Sequence, residues 1–176
     1  MNAKTPNILI SYGLEGSQDF PELDKVIIQS ALKTLTNAAA RRNVNLLMRD
    51  HPGVTPMMEI LTESFSDKFI VLEEGAPISS IINDFSPESA VFIGGADDVA
   101  HDHAILSQSE STVLLPLFGT GGAAEKLAGE DDGYKNCPEA VKLAAVEDIF
   151  GNKAIYELAK SLDSTSQVQP GGPAPI

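Results

Sequence analysis

Short apolar runs alternate along this chain with longer segments of helical period, and this alternation limits the folds available to it. Five runs are too continuously apolar for half-exposed antiparallel strands and are typical of strands buried on both faces. These predicted strands are Ile8 to Ile10, Val44 to Met48, Phe69 to Leu72, Ala90 to Ile93 and Val113 to Leu117. Because Pro116 lacks a backbone N–H, the fifth strand is expected at a sheet edge or to end there.

The segments between these runs predict helices. From Glu22 to Arg42, apolar residues recur on one stripe, with acidic residues in the first turn and two arginines in the last. Thr55 followed by Pro56 predicts an N-cap and a first helical residue. A third helix is predicted from apolar residues at i, i+3, i+4 and i+7, namely Ile78, Ile81, Ile82 and Phe85.

Strands separated by helices pair in parallel through right-handed crossovers. We therefore predict an α/β fold: a doubly wound, Rossmann-like three-layer sandwich with a five-stranded parallel sheet. The 176 residues suit one such domain, over residues 1–162. Its last helices, from Pro138 onward, either cover the sheet or form a dimer interface. Residues 163–176, which end in "QPGGPAPI", predict a flexible tail.

The charge and the hydropathy of the chain bear on its partners and its location. Its formal net charge is −13, from 25 acidic and 12 basic residues, and this charge repels a nucleic-acid backbone. No apolar run approaches the ~18 residues that would span a membrane. The first residues, "MNAKTPNILISYG", lack the features of a secretory signal, and Cys137 is the one cysteine. We therefore expect a cytoplasmic protein without nucleic-acid or membrane partners.

Ligands of doubly wound sheets bind outside the carboxyl ends of the strands, so the loops after the strands are the places to search. Four of these loops collect glycines, an arginine and a histidine. Glycine lets the backbone approach a ligand closely, and a helix start directs free N–H groups at it, which suits a phosphate or phosphoribosyl group. Taken singly, each glycine also fits a tight turn. The candidate binding residues are Gly13, Gly16, Ser17, Arg49, Gly53, Gly94, Gly95, Asp97, Gly119, Thr120, Gly121 and Gly122.

The stretch "FIGGADDVAHDH" carries the candidates for catalysis. His101, Asp98 and His51 are candidate general acids or bases, since histidine titrates near neutrality, and Glu125 is a further carboxylate. On a helix His101 and His103 point about 200° apart and cannot share one ion. A metal site of His51, His101 and Asp98 is a minor alternative. The favoured interpretation has no metal or cofactor.

In that interpretation, Asp97 and Asp98 cap a helix whose positive end favours them. One of the two nearby histidines then lies at the pocket rim, and the other faces solvent.

Three stretches resemble the SLOG superfamily of Rossmann-like nucleotide-binding domains, which includes the lonely-guy phosphoribohydrolases. They are "AVFIGGADDVAHDH", "NLLMRDHPGVTPMM" and "LLPLFGTGGAAEKL", and the resemblance covers about residues 6 to 128. It implies a nucleotide-like ligand at the carboxyl edge of the sheet. Because members of the family often pair, it also implies a homodimer.

The sequence departs from the phosphoribohydrolase motif PGGxGTxxE. Its glycine pair falls on Gly94 and Gly95, but its third glycine, threonine and glutamate fall on Asp97, Asp98 and His101. An aspartate repels phosphate there, so the resemblance implies binding or sensing of a nucleotide better than it implies that hydrolysis. Two alternatives remain open. One is a hydrolase that cleaves an N-glycosidic or phosphoryl bond, and the other is a non-catalytic interaction subunit that has lost the ligand.

Overall fold

The computed structural model describes residues 4–14 and 21–165. Its strands and the helices between them are β1 (Asn7–Gly13), α1 (Pro21–Arg42), β2 (Asn45–Arg49), α2 (Thr55–Leu61), a 3-10 helix (Glu63–Lys68), β3 (Phe69–Leu72), α3 (Ile78–Phe85), β4 (Ser89–Gly94), α4 (Asp97–Leu106) and β5 (Val113–Pro116). A short 3-10 helix (Phe118–Thr120) and three helices follow, α5 (Gly122–Ala128), α6 (Glu139–Glu147) and α7 (Asn152–Thr165). Within the described ranges, no helix combines the length and apolar character that crossing a bilayer requires.

The five strands form one parallel sheet in the order β3-β2-β1-β4-β5. This architecture confirms the predicted α/β fold with a five-stranded parallel sheet. All five predicted strands overlap the observed ones, and β5 with Pro116 is an edge strand as expected. The strand order reverses at β1, since β2 lies on one side of it and β4 on the other. Doubly wound sheets bind their ligands at such a reversal.

Alternate residues of the strands pack against two helical layers, because successive side chains point to opposite faces of a sheet. Ile10, Met48 and Val91 belong to a buried cluster that includes residues of α1, α2, α6 and α7. Leu47 and Phe92 belong to a second cluster with residues of α3, α4 and α5. The two clusters make the three-layer sandwich, and α6 and α7 contribute buried residues to the first of them, where α7 packs on α1 and α6 packs on α7.

The predicted helix caps are wrong in detail. Thr55 is already the first helical residue of α2, and its hydroxyl accepts a hydrogen bond from the backbone N–H of His51 (2.8 Å). It therefore holds the preceding loop and leaves the helix start uncapped. In α4 the N-cap is Ala96, and Asp97 and Asp98 lie in the first turn without a capping bond. One oxygen of Asp98 accepts from the N–H of the next residue, Val99 (2.8 Å).

The C-terminal segment is helical further than predicted, since α7 continues to Thr165. The rest of the predicted tail, residues 166–176, lies outside the described residues.

Candidate functional site

A cavity of about 610 Å³ opens at the carboxyl ends of β1 and β2, between α4 and the loop that joins β3 to α3. We call it the edge cavity. Its lining consists of Ile10, Tyr12, Arg49, Asp50, His51, Glu74, Gly75, Ala76, Pro77, Ile78, Ser79, Asp98, His101, Asp102 and Ile105. Because β1 and the helix after β4 both contribute, the edge cavity adjoins the point where the strand order reverses.

An ion pair between Arg49 and Asp102 forms the floor of the edge cavity. The guanidinium donates two hydrogen bonds to the carboxylate, at 2.6 and 3.0 Å, and its Nε donates to the carbonyl of Ala76 (2.7 Å). Asp102 also accepts from the buried hydroxyl of Ser11 (2.7 Å). All three guanidinium nitrogens are thus engaged inside the protein. Arg49, which was predicted to bind ligand, lines the edge cavity and ties the end of β2 to α4 and to the loop before α3.

Tyr12 and His51 form an aromatic wall beside this ion pair, with ring centroids 5.9 Å apart in an edge arrangement. Burial, with a smaller effect of Asp50, raises the pKa of Tyr12 far above its usual value, so the phenol stays neutral. The Nδ1 atom of His51 accepts from the N–H of Gly53 (3.1 Å). In neutral His51 the hydrogen therefore lies on Nε2, which makes Nε2 a hydrogen-bond donor.

One face of α4 lines the edge cavity. Asp98, His101, Asp102 and Ile105 follow the spacing i, i+3, i+4 and i+7, which places them on one side of a helix. The structure thus brings the three candidate catalytic residues, Asp98, His101 and His51, into the lining of one cavity.

His103 points to the other side of α4, as its spacing from His101 predicts. The expectation that it faces solvent is wrong, since it is 5% exposed. Its Nε2 lies 3.0 Å from the carbonyl oxygen of Gly133, and its ring packs on Phe92 with centroids 5.0 Å apart. The chain after α5 covers this side of α4, so the histidine is part of the core.

The glycine loops after β4 and β5 bind each other. The N–H of Gly94 donates to the hydroxyl of the fully buried Thr120 (2.9 Å), and the N–H of Gly119 donates to the carbonyl of Ile149 (2.7 Å). The N–H of Ala123 donates to the carbonyl of Gly95 (2.8 Å), and that of Gly121 to Phe118 (3.3 Å). These amides are therefore already paired, and a phosphate would have to displace protein acceptors to bind them.

The remaining predicted residues lie in several places. Gly13 is buried and pairs in register with Gly94. Asp97 is exposed and Gly122 half-buried, and neither lines the edge cavity. Gly53 supports His51. Gly16 and Ser17 fall outside the described residues.

Residues 4–14 and 21–165 contain no group of three or more histidine, cysteine, aspartate or glutamate side chains that could hold a metal ion. The alternative of a metal between His51, His101 and Asp98 therefore gains no support from their placement.

The fold and the edge cavity define this chain as a doubly wound α/β protein with a cavity at the carboxyl edge of its sheet that both charged and apolar residues line. A scan against protein-family models gives no match to the chain, and a comparison with curated protein sequences gives none either.

Sequence reasoning missed several residues of this site, among them Ser11, Tyr12, Glu74 and Asp102. A signal for Asp102 was present, because it follows Asp98 by four residues and so shares a helix face with it. Ser11 and Tyr12 end an apolar strand next to the strand-order reversal, where polar side chains are expected to face a ligand.

Proposed function

We propose that the protein binds a nucleotide-like small molecule at the carboxyl edge of its sheet, with the nucleoside part in the edge cavity. The observation that carries the proposal is the convergence of polar side chains from separate loops in one cavity beside the strand-order reversal. A volume of about 610 Å³ is within the range of ~300–1,000 Å³ usual for small-molecule sites.

The chemistry of the lining suits a nucleoside. Asp98 and Glu74 are exposed carboxylates in the lining and accept hydrogen bonds from hydroxyl groups, which is how carboxylates hold ribose in dinucleotide-binding folds. His51 offers a donor at Nε2 for an acceptor on the base. Tyr12 offers an aromatic surface for a planar ring.

The lining does not suit a phosphate. The guanidinium of Arg49 is engaged with Asp102 and Ala76, and the other charged groups of the lining are acidic. In this proposal any phosphate on the ligand lies outside the edge cavity.

A second candidate function is hydrolysis of an N-glycosidic bond in the same cavity. It is favoured by the position of Asp98 and His101, one helical turn apart on the cavity face of α4. A carboxylate there would stabilise the positive charge that develops on the sugar, and an imidazole would supply or remove a proton.

Binding is tested by thermal shift and calorimetry with adenosine, guanosine, AMP, ADP-ribose, NAD and ribose 5-phosphate. A ligand at about 100 times its Kd should stabilise the fold by about 2.7 kcal/mol. We expect Asp98→Asn to weaken binding of the ligand, and Asp97→Asn, its exposed neighbour outside the lining, to leave binding unchanged. Equal effects of the two substitutions would contradict the proposed location.

Chromatography of the incubated ligand separates binding from turnover. Released base that disappears in Asp98→Asn and His101→Ala would establish the hydrolase. No binding across the whole panel would contradict both proposals and favour the non-catalytic interaction subunit.

A further inference from the structure

The net charge of the edge cavity indicates a narrower class of ligand than the position of the cavity in the fold does. The lining contains four carboxylates, those of Asp50, Glu74, Asp98 and Asp102, and one guanidinium, that of Arg49. The formal charge of the lining is therefore four negative charges against one positive, or −3 with both histidines neutral.

Arg49 and Asp102 compensate each other and leave the other three carboxylates unbalanced. The side chains of this pair are 24% and 5% exposed, so the pair forms a largely buried and locally neutral floor. Among the described residues, Asp50, Glu74 and Asp98 take part in no ion pair. All three are solvent-exposed residues that line the cavity.

Like charges around a concave site reinforce one another, because the low-dielectric walls focus their field into the cavity. An anion entering the edge cavity is repelled, and a cation is attracted. The ring of Tyr12 adds to this preference, since the face of an aromatic ring attracts positive charge.

We infer that the edge cavity selects a cationic nucleoside, one whose base is positively charged at neutral pH, such as an N1-methylated adenosine or a pyridinium riboside. The inference rests on the proposed function, because the nucleoside part of the ligand is taken from it. The carboxylates of the lining then accept hydrogen bonds from the ribose hydroxyl groups and also attract the positive charge of the base.

The test uses a pair of isomers that differ in charge and hardly in size. 1-Methyladenosine is a cation at neutral pH, and N6-methyladenosine is neutral. We expect calorimetry of the full chain at pH 7 and low ionic strength to show at least tenfold tighter binding of 1-methyladenosine. Added salt should reduce this ratio, because salt screens partly exposed charges.

Variants test whether the carboxylates of the edge cavity cause the preference for the cationic isomer. The double variant Glu74→Gln, Asp98→Asn should bring the affinity ratio of the two isomers close to one, while Asp97→Asn should keep the wild-type ratio. A second pair, nicotinamide riboside and nicotinic acid riboside, repeats the comparison on a pyridinium ring, where the carboxylate of the second compound cancels the charge.

The outcomes separate the two proposals. If both members of each pair bind with equal affinity, the inference on charge is wrong and the proposed function stands. If a tenfold preference persists in the double variant, the cavity carboxylates do not cause it, and the inference is likewise wrong. If no member of either pair binds while a compound of the earlier panel does, the inference on charge is wrong and the proposed function stands. If nothing in either set binds, the proposed function itself fails.

Discussion

Gly95 shows at the level of one residue why the loop after β4 contains glycine. It has a φ of +79°, and a Cβ added there would lie 2.2 Å from Cγ2 of Val99. We expect Gly95→Ala to lower the free energy of unfolding by about 2 to 4 kcal/mol, since it adds both backbone strain and a clash in the core. Urea denaturation at pH 7 measures this loss.

Two further variants separate the strain from the clash. Gly75 has a similar φ of +72° but nothing within 4 Å of an added Cβ, so Gly75→Ala should cost only the strain, about 1 kcal/mol. Adding Val99→Ala to Gly95→Ala removes the clashing methyl group and should reduce the penalty of the glycine substitution. Equal losses in Gly95→Ala and Gly75→Ala would show that close packing is not the reason for this glycine.

Cys137 gives a pH dependence with a defined sign. Its thiol is buried and donates to the carbonyl of Leu114 (3.2 Å), and burial raises its pKa from 9.0 to about 12. The native state keeps this proton above pH 9 while the unfolded state loses it. The contribution to stability is thus complete below pH 9 and falls by up to about 1.4 kcal/mol per pH unit toward pH 12.

Cys137→Ser isolates this contribution from other groups that titrate in the same range. We expect the difference in unfolding free energy between wild type and variant to shrink as pH rises above 9. We also expect the thiol to react with a disulfide reagent at pH 8 much faster in urea than in the native protein. Parallel pH profiles, or rapid labelling of the native protein, would contradict this account of the cysteine.

The position of a single residue in the site was predictable from the sequence where it depends on one helix or one loop alone. The cavity residues Asp98 and His101 share a helix face that their spacing reveals. The partnership of Arg49 and Asp102 spans 53 positions in the chain and depends on how α4 packs against β2, so no local pattern contains it. The charge of Arg49 suggested a ligand, and the sequence did not reveal that a buried carboxylate of the protein pairs with it.

At the level of elements, the ion pair of Arg49 and Asp102 joins β2 and α4. Asp102 also accepts a hydrogen bond from Ser11 of β1, and Arg49 also donates one to the carbonyl of Ala76 in the loop before α3. Removing one partner leaves a charge in a largely buried place, which typically costs about 3 to 5 kcal/mol. We expect Arg49→Met and Asp102→Leu each to destabilise the fold by about 3 kcal/mol. The double variant should lose clearly less than the two together, as chemical denaturation of all four proteins would show.

The exposed pair of Arg42 and Asp163 is the matched control. Its side chains are 43% and 33% exposed at a separation of 3.2 Å, so Arg42→Met should cost less than about 1 kcal/mol. Additive effects at Arg49 and Asp102 would mean that the two side chains do not stabilise the joined elements as a pair.

The elements themselves followed from the sequence, because buried parallel strands and amphipathic helices leave strong periodic patterns. β3 and α3 have the predicted bounds, Phe69–Leu72 and Ile78–Phe85. Helix starts were less predictable. Thr55 has the chemistry of a cap, but its hydroxyl binds the loop N–H of His51, and this choice depends on the three-dimensional path of that loop.

For the whole molecule, the sequence predicted the parallel sheet and the edge of the sheet at which the candidate site lies. It did not predict that the residues at this edge lie in two separate places. The predicted glycines and polar residues separate into two groups. Gly94, Gly119 and Thr120 close a packed corner between β4 and β5, while Arg49 and His51 lie at the edge cavity over β1 and β2. Lateral strand order decides this separation, and local sequence patterns do not encode it.

The outer side of α6 presents apolar residues to solvent. Leu143 and Val146, 58% and 76% exposed, lie one turn apart, and Ile149 and Phe150, 52% and 46% exposed, follow the helix. We call these four residues the apolar patch. The sequence predicted that the C-terminal helices either cover the sheet or form a dimer interface. The other side of α6 packs on α7, and its buried residues belong to the core.

We expect the homodimer implied by the family resemblance to form through the apolar patch. In a two-fold dimer each substitution occurs in both copies, and a new carboxylate inside the contact faces the apolar groups of the other copy. Leu143→Glu with Val146→Glu should therefore convert the dimer to monomer in sedimentation equilibrium, with an unchanged circular dichroism spectrum. Ile60→Glu, at a residue of α2 that is 75% exposed, should leave the dimer intact. A monomeric wild type would contradict the homodimer, and a dimeric double variant would exclude the apolar patch as its interface.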